Sequence, residues 1–332
     1  MIEILPWQQK QMRQIFEMSK QDRLPHALLF SGPDGIGLKE FSLFFAASRL
    51  CLTKGSNDPC GHCQSCELFK GKSNPDIKLI EPDIKTGNFH VDTTRDLVNY
   101  TSLKAFLNND MKIIIINEAD VMNRSSANSL LKMLEEPSSQ SMFILLSHRP
   151  SELLVTIRSR CQKINFYPTY SNESIDWVEK NFDNSKFSAD LLLNLAGGAP
   201  LKVEALLEEE YLENRAQYLK DLELLNKKKA NPVNIAACWN KLGAKSSIHC
   251  LMQLTNDLVR LKLSSQVKNI TNTDLIDDLQ GISNRLDLLK LIRSYDFILL
   301  KYKELTGPMN YNSLAILEEI ALFWKNYKDS MA

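Results

Sequence analysis

The sequence predicts an α/β domain with a parallel sheet, followed by a small helical domain and then by a larger all-helical one. Two observations support this order: brief apolar runs alternate with helical patterns through about residue 165, and strand-like runs stop after Pro168. A third is length, because 332 residues exceed what a single core of roughly 150 residues accommodates. We therefore expect two or three domains.

The predicted strands are short apolar runs bounded by polar or turn-forming residues, as buried parallel strands should be. They are Ala27–Phe30, Ile77–Ile80, Lys112–Ile116 and Phe143–Leu146. Between them, Leu38–Leu50 and Ser125–Leu134 repeat apolar residues at every third or fourth position. This spacing predicts helices that cover the sheet.

The predicted domain boundaries follow from changes in these patterns. The α/β domain spans residues 1–166, and the small helical domain spans residues 167–207 with the helix-ending stretch Gly197–Pro200 inside it. The last domain, residues 208–332, has apolar residues at helical spacing throughout and ends on the predicted helix Ser313–Tyr327.

Composition excludes several classes of protein. Hydrophobic residues make up 44% and charged residues 24% of the chain, which argues against disordered, collagen-like and fibrous coiled-coil proteins. Forty basic residues balance forty acidic ones, so no net charge attracts the chain to nucleic acid or to an anionic membrane. The apolar runs are much shorter than the roughly 20 residues of a membrane helix.

The cysteines and the first residues of the sequence indicate the cellular compartment of the protein. Seven cysteines are an odd number, and four of them lie within residues 51–66, a pattern typical of a metal site in a reducing compartment rather than of a disulfide scaffold. The first residues carry an acid and have no basic segment ahead of an apolar one, unlike a secretory signal. We expect a cytoplasmic protein.

A glycine-rich turn follows the first predicted strand and opens a helix. Its glycines, Gly32, Gly35 and Gly37, have the pattern of a P-loop, whose backbone N–H groups hold phosphate. In the working motif G-x-x-x-x-G-K-[S/T], a lysine reaches the β and γ phosphates and a hydroxyl binds magnesium. Counted from Gly32, these two slots hold Leu38 and Lys39. A shift of one residue turns a helical side chain by about 100°, so we expect Lys39 not to substitute for the missing lysine.

The third predicted strand leads into a second altered motif. Asn117 stands where P-loop ATPases have an acid that organises magnesium, and it is followed by Glu118 and Asp120. An amide is a neutral and weaker ligand for a hard cation. Changes at the lysine, hydroxyl and acid positions together predict that this chain binds neither ATP nor magnesium.

The spacing C-x8-C-x2-C-x2-C predicts a metal site formed by Cys51, Cys60, Cys63 and Cys66. Four thiolates complete a tetrahedral shell around Zn²⁺, and two-residue spacings direct successive sulfurs at one ion. An iron–sulfur cluster and free reduced thiols are the alternatives, and His62 could replace one ligand. A shell of four protein ligands leaves no position for substrate, so the predicted zinc is structural.

Residues 126–137, the run Phe143–Leu146 and the triplet Ser159-Arg160-Cys161 closely resemble bacterial clamp-loader AAA+ subunits. The resemblance covers nearly the whole chain, including residues 310–314 before the last helix. It implies an AAA+, P-loop NTPase-like domain with a parallel sheet, a small helical lid domain and an all-α collar domain for oligomerisation.

The resemblance also implies a function. In this family the arginine of the Ser159-Arg160-Cys161 triplet points at the γ-phosphate of ATP held by a neighbouring subunit, where a guanidinium offsets developing charge. Family motors carry another nucleotide-contacting arginine at the position of Leu201, and Lys202 is out of register with it. We therefore expect a structural subunit that does not hydrolyse ATP, an accessory part of a replicative DNA polymerase assembly.

The partners that the resemblance implies are gamma/tau motor subunits and a delta subunit in a hetero-oligomeric ring. The sliding clamp and primed DNA are reached through that assembly. Two alternatives are an ATP-hydrolysing motor subunit of the gamma/tau type and an unrelated zinc-containing nucleic-acid binder, which the neutral charge disfavours.

The remaining polar features are expected to have no chemical role. His26, His90 and His249 have no paired acid or nucleophile at a recognisable spacing, and we interpret them as packing or surface residues. Ser147-His148 occupies a sensor position that has no nucleotide to sense. We expect Lys227–Lys229 to form a solvated loop.

Overall fold

The computed structural model describes residues 3–53, 58–83, 89, 91–107, 111–137, 141–182, 186–208, 211–264, 270–307, 309 and 311–326. They belong to two compact units, Met1–Trp177 with Gly198–Lys202, and Val178–Gly197 with Val203–Ala332. The division into three domains with boundaries after residues 166 and 207 stays a prediction.

The first unit is built on a sheet of five parallel strands in the order β2-β3-β4-β1-β5. The strands are β1 (Ala27–Ser31), β2 (Ile77–Ile80), β3 (Lys112–Ile116), β4 (Ser141–Ser147) and β5 (Gln162–Asn165). The first four agree with the predicted apolar runs to within two residues at either end. The fifth was not predicted, because at this edge of the sheet only Ile164 of β5 is buried.

Helices cover both faces of this sheet. They are α1 (Gln9–Lys20), α2 (Leu38–Leu50), α3 (Gln64–Lys70), α4 (Val91–Ser102), α5 (Arg124–Glu135), α6 (Val155–Arg158) and α7 (Asn172–Asn181), which continues into the second unit. Alternate strand residues face opposite sides. Leu28 and Phe30 therefore pack with α1 and α2, whereas Ala27 and Leu29 pack with α5. All residues of β1, β3 and β4 are buried.

The second unit is helical in all its described secondary structure. Its helices are α8 (Ala189–Leu195), α9 (Lys202–Leu207), α10 (Tyr211–Asn226), α11 (Pro232–Lys241), α12 (Ala244–Leu263), α13 (Ile276–Arg285), α14 (Leu288–Thr306) and α15 (Ser313–Asn326). Helix α12 packs against α13 and α14, and α11 packs against α15. The α/β and all-helical fold classes are thus confirmed. In the described parts of both units, every helix is too short or too polar to cross a membrane.

A buried polar network joins three segments of the second unit. The carboxylate of Asp257, which is fully buried, accepts hydrogen bonds from the backbone N–H groups of Thr271 and Asn272, both at 2.9 Å. The Asn272 side chain donates to Asp257 at 2.7 Å and accepts from Arg215 at 2.9 Å. Arg215 also pairs with Asp274 at 2.7 Å. Each buried polar group in this network depends on its neighbour for a hydrogen-bond partner.

Replacing Asp257 with alanine should therefore lower the free energy of unfolding by about 2–4 kcal/mol, since the backbone N–H groups of Thr271 and Asn272 and the side-chain amide of Asn272 lose their acceptor. Urea denaturation followed by circular dichroism measures this change. Asp296→Ala removes an exposed carboxylate from α14 and is the matched control, with an expected change below about 0.5 kcal/mol. Equal effects of the two variants would contradict the role of the network.

Candidate functional site

The glycine-rich turn lies between β1 and α2. Gly35 and Gly37 have φ angles of 78° and 88°, a region that glycine adopts without steric cost. A Cβ on Gly37 would lie 2.5 Å from Leu5 Cδ1 and 2.7 Å from Gln8 Nε2. A Cβ on Gly32 would lie 2.7 Å from the carbonyl oxygen of residue 166. All three glycines are thus required by backbone conformation or by close packing.

An amino-terminal segment, residues 5–8, covers this turn. The indole Nε1 of Trp7 and the amide Nε2 of Gln8 each donate a hydrogen bond to the carbonyl of Ile36 at 3.0 Å. Gln8 Nε2 donates a second one to the carbonyl of Gly37 at 2.7 Å, and Gln8 is fully buried. Donors from the chain itself therefore fix the conformation of the turn. These residues could not be predicted from the sequence, because no local pattern marks them.

A second segment contacts the turn from residues 198–202. The backbone N–H of Leu201 donates to the carbonyl of Gly35 at 3.1 Å, and a Cβ on Gly35 would lie 2.7 Å from Lys202 Cβ. Leu201 thus packs on the turn as an apolar residue.

Lys39 and Asn117, from the two predicted nucleotide motifs, share one acceptor. Leu38 is 3% exposed and belongs to the hydrophobic core. The Lys39 ammonium pairs with Glu81 Oε1 at 2.8 Å, and Asn117 Nδ2 donates to the same oxygen at 3.3 Å. Glu81 follows β2 and was not identified from the sequence, because only the strand order brings it next to the other two residues.

The end of β4 is connected to the glycine turn by His148. Its Nδ1 donates to the carbonyl of Gly32 at 3.0 Å, and its backbone N–H donates to Asp120 Oδ1 at 3.1 Å. Asp120 is 8% exposed and also lies 3.4 Å from Arg149 Nε. Glu118 has a left-handed φ of 49° where the chain turns away from β3. His148 is thus a structural link, a role that the sequence did not predict.

Arg160 follows α6 and is held in place without being buried. One guanidinium nitrogen lies 2.5 Å from Glu135 Oε1, and another donates to the carbonyl of Thr156 at 2.9 Å. The Arg160 side chain remains 35% exposed. Its orientation is therefore constrained from within the unit, while part of the guanidinium stays accessible.

The two neighbours of Arg160 have other environments. The Ser159 hydroxyl donates to the carbonyl of Thr156 at 3.1 Å. Cys161 is half-buried against the core, and burial raises the pKa of its thiol to about 11. Cys161 is therefore protonated at neutral pH and is suited to packing rather than to nucleophilic chemistry.

The four predicted metal ligands lie together beside α3. Their Sγ atoms are all within 4.8 Å of one another, and the pairs Cys51–Cys63 and Cys60–Cys66 are each separated by 3.9 Å. Tetrahedral zinc, with Zn–S bonds of about 2.3 Å, requires sulfur separations of about 3.8 Å. The geometry therefore fits a four-thiolate metal site. His62 is exposed and donates from Nδ1 to the carbonyl of Cys60 at 2.8 Å.

The remaining singled-out residues have ordinary surroundings. His26 Nε2 donates to the carbonyl of Leu134 at 2.9 Å, His249 is half-buried, and His90 lies outside the described residues. Lys227–Lys229 is exposed.

Comparison with known proteins places both units in one protein family. A family described as DNA polymerase III, delta subunit, matches residues 7–170, and its C-terminal counterpart matches residues 209–326. DNA polymerase III subunit delta' of Pseudomonas aeruginosa is 29% identical, with 98% of each chain covered. The Bacillus subtilis protein of the same name is 33% identical over 79% of this chain and 80% of the relative.

A more limited similarity extends to another subunit. DNA polymerase III subunit tau/gamma of Haemophilus influenzae is 35% identical over 43% of this chain and 20% of that protein. The delta' relatives, in contrast, match through both units and over most of their own length. The chain therefore belongs to the DNA polymerase III subunit delta' family.

Proposed function

We propose that this chain is a clamp-loader subunit that neither binds nor hydrolyses ATP and that supplies Arg160 to ATP held by a neighbouring subunit. The observation that carries the proposal is the shared bonding of Lys39 and Asn117 to Glu81, beside a buried Leu38. Lys39 and Asn117 are both engaged with Glu81 rather than available to triphosphate and magnesium, and a core residue, Leu38, stands in the position of the phosphate-binding lysine.

The surroundings of Arg160 suit a role in trans. A planar guanidinium can meet two phosphate oxygens at once and remains charged at all physiological pH values. Its pair with Glu135 is partly exposed, and such pairs are worth about 1 kcal/mol or less. A γ-phosphate can therefore displace Glu135 at little cost, while the bond to the Thr156 carbonyl keeps the guanidinium in place.

The proposed partners are gamma/tau motor subunits and a delta subunit, with the sliding clamp and primed DNA reached through the assembly. The similarity to a tau/gamma protein supports this choice, because related domains pack into rings through equivalent surfaces. The helical second unit would serve as the collar domain for that oligomerisation.

We also propose that Cys51, Cys60, Cys63 and Cys66 hold a structural zinc ion. Zinc would join the chain after α2 to the start of α3, with no open coordination position for a substrate. Cysteine binds zinc as the thiolate. A reducing cytoplasm keeps the four cysteines from forming disulfides.

The isolated chain should show no saturable binding of Mg-ATP below about 100 µM, a limit that corresponds to about 5.5 kcal/mol of binding free energy. The physical reason is the missing cationic contact to the phosphates. Titration with a fluorescent ATP analogue measures this, and a tau/gamma protein is the positive control. Micromolar binding would instead support the alternative of an ATP-hydrolysing motor.

Arg160→Ala should leave assembly intact and lower hydrolysis at the neighbouring ATP site by about 10³-fold or more, the usual value of an arginine finger. DNA-stimulated ATPase of the reconstituted complex measures the effect, and gel filtration checks assembly. Arg158→Ala is the matched control, because it removes an exposed arginine from the same turn. An unchanged ATPase rate in Arg160→Ala would remove Arg160 from the mechanism.

Elemental analysis of the purified chain should find one zinc ion per molecule. Cys63→Ser should lose the ion and lower the melting temperature, because a ligand at a thousandfold excess over its Kd stabilises a fold by about 4 kcal/mol. Cys238→Ser, which changes an exposed cysteine of α11, should retain both zinc and stability. Finding iron, or no metal, would overturn the assignment.

A further inference from the structure

The four cysteines of the candidate metal site lie on three pieces of chain. Cys51 directly follows α2, Cys60 and Cys63 flank a tight turn, and Cys66 lies in the first turn of α3. The turn contains Gly61, whose φ of 77° is one that glycine adopts without steric cost. Four sulfurs meet only while these pieces hold their relative positions. The affinity of the site for a metal therefore depends on groups outside the ligand set as well.

Backbone N–H groups of this turn point at the sulfurs. The N–H of Cys60 donates to Cys51 Sγ, and the N–H of Cys63 donates to Cys60 Sγ, each at 3.4 Å. Because cysteine binds zinc as the thiolate, four such ligands give the loaded site a net negative charge, and these donors offset part of it. They are main-chain groups, so their aim depends on the conformation of the turn rather than on side chains of its own.

Lys70, in the last turn of α3, holds the turn between Cys60 and Cys63 from outside. Its ammonium donates a hydrogen bond to the carbonyl of Gly61 and pairs with Glu67 Oε1 at 3.0 Å. The side chain is half-exposed, so these interactions are modest in strength. Together they fix the turn to α3 and place a positive charge beside two ligands that bind metal as anions.

Asn74 is buried and holds the first turn of α3. Its Nδ2 donates to both the carbonyl and the hydroxyl of Ser65 at 3.1 Å, and its Oδ1 accepts from the backbone N–H of Asp76 at 3.0 Å. Ser65 directly precedes the ligand Cys66. The carbonyl of Asp76 accepts from the N–H of Ile113 on β3 at 2.8 Å. Asn74 therefore connects the α3 part of the cluster to the sheet.

We propose that Asn74 and Lys70 are positioning residues of the metal site, which set its affinity for zinc without being ligands. The inference rests on the proposed binding of zinc by the four cysteines and deepens it. Asn74 keeps Cys66 in place relative to the sheet, and Lys70 keeps the preceding turn in place relative to α3. When either contact is lost, one piece of the site moves independently, and the sulfurs must be brought together again as zinc binds.

Competition with a chromophoric chelator measures the Kd of the full-length chain for zinc. Asn74→Asp keeps the shape of the side chain but sets an acceptor against the Ser65 carbonyl. It should raise the Kd by about 10–100-fold, the usual cost of losing a partner outside the ligands. Lys70→Met keeps the aliphatic stem and loses the ammonium, and it should raise the Kd by about threefold to tenfold, because the lost contacts are half-exposed. Lys70→Arg retains a charged donor and should restore most of the affinity.

Two controls separate positioning from general stability, and both should leave the Kd unchanged. Lys72→Met removes an exposed lysine just after α3. Asn123→Ala removes the hydrogen bond that caps α5 at 2.9 Å and destabilises the same unit away from the cysteines. A merely structural role of Asn74 would lower the melting temperatures of the metal-free and zinc-loaded chains equally. A positioning role lowers that of the zinc-loaded chain more, because weaker binding stabilises less.

The outcomes distinguish the inference from the zinc proposal on which it rests. A wild-type Kd in either Asn74→Asp or Lys70→Met, or an equal rise of the Kd in the controls, would overturn the inference and leave the zinc site intact. Equal losses of melting temperature with and without zinc in Asn74→Asp would do the same. A wild-type chain that binds no zinc would overturn both.

Discussion

The register of three strands buried on both faces determines where the candidate residues that follow these strands lie. Strands β1, β3 and β4 expose no residue to solvent, so their backbone groups find partners in one another and in the edge strands β2 and β5. Parallel pairing then brings all their carboxyl ends to one edge, with Ser31 opposite Ser147. The glycine turn, Asn117 and His148 each follow one of these ends. A shift of register by one residue would exchange the side chains that face the two cores and would separate these groups.

The turn has the form of a phosphate-binding loop, with Gly35 and Gly37 in left-handed conformations, and its conformation is stabilised from within the chain. The side chains of Trp7 and Gln8 donate hydrogen bonds to its carbonyls, and Lys39 and Asn117 both bond to Glu81. Buried polar groups left without partners would each cost roughly 1–3 kcal/mol. These internal partners explain how the turn keeps its conformation.

Much of this architecture could be predicted from the sequence, and the omissions have physical causes. Continuous apolar runs identified β1 to β4, because burial on both faces demands them, whereas β5 has one buried residue and no comparable signal. Cysteine spacing was sufficient to predict that four sulfurs converge, since short loops leave few alternatives. In contrast, Gln8 and Glu81 lie far in sequence from their partners, and only the tertiary fold brings them together. The sequence pattern also gave no indication of a role for His148, because its contacts depend on the register of β4.

The amide of Gln8 has a mechanical consequence. A loop that closes on a ligand is stiff when occupied and loose when empty, so its rigidity varies through each turnover cycle. Here a buried glutamine of the same unit occupies the carbonyls of Ile36 and Gly37, so the stiffness of this loop is set by the fold of the unit itself.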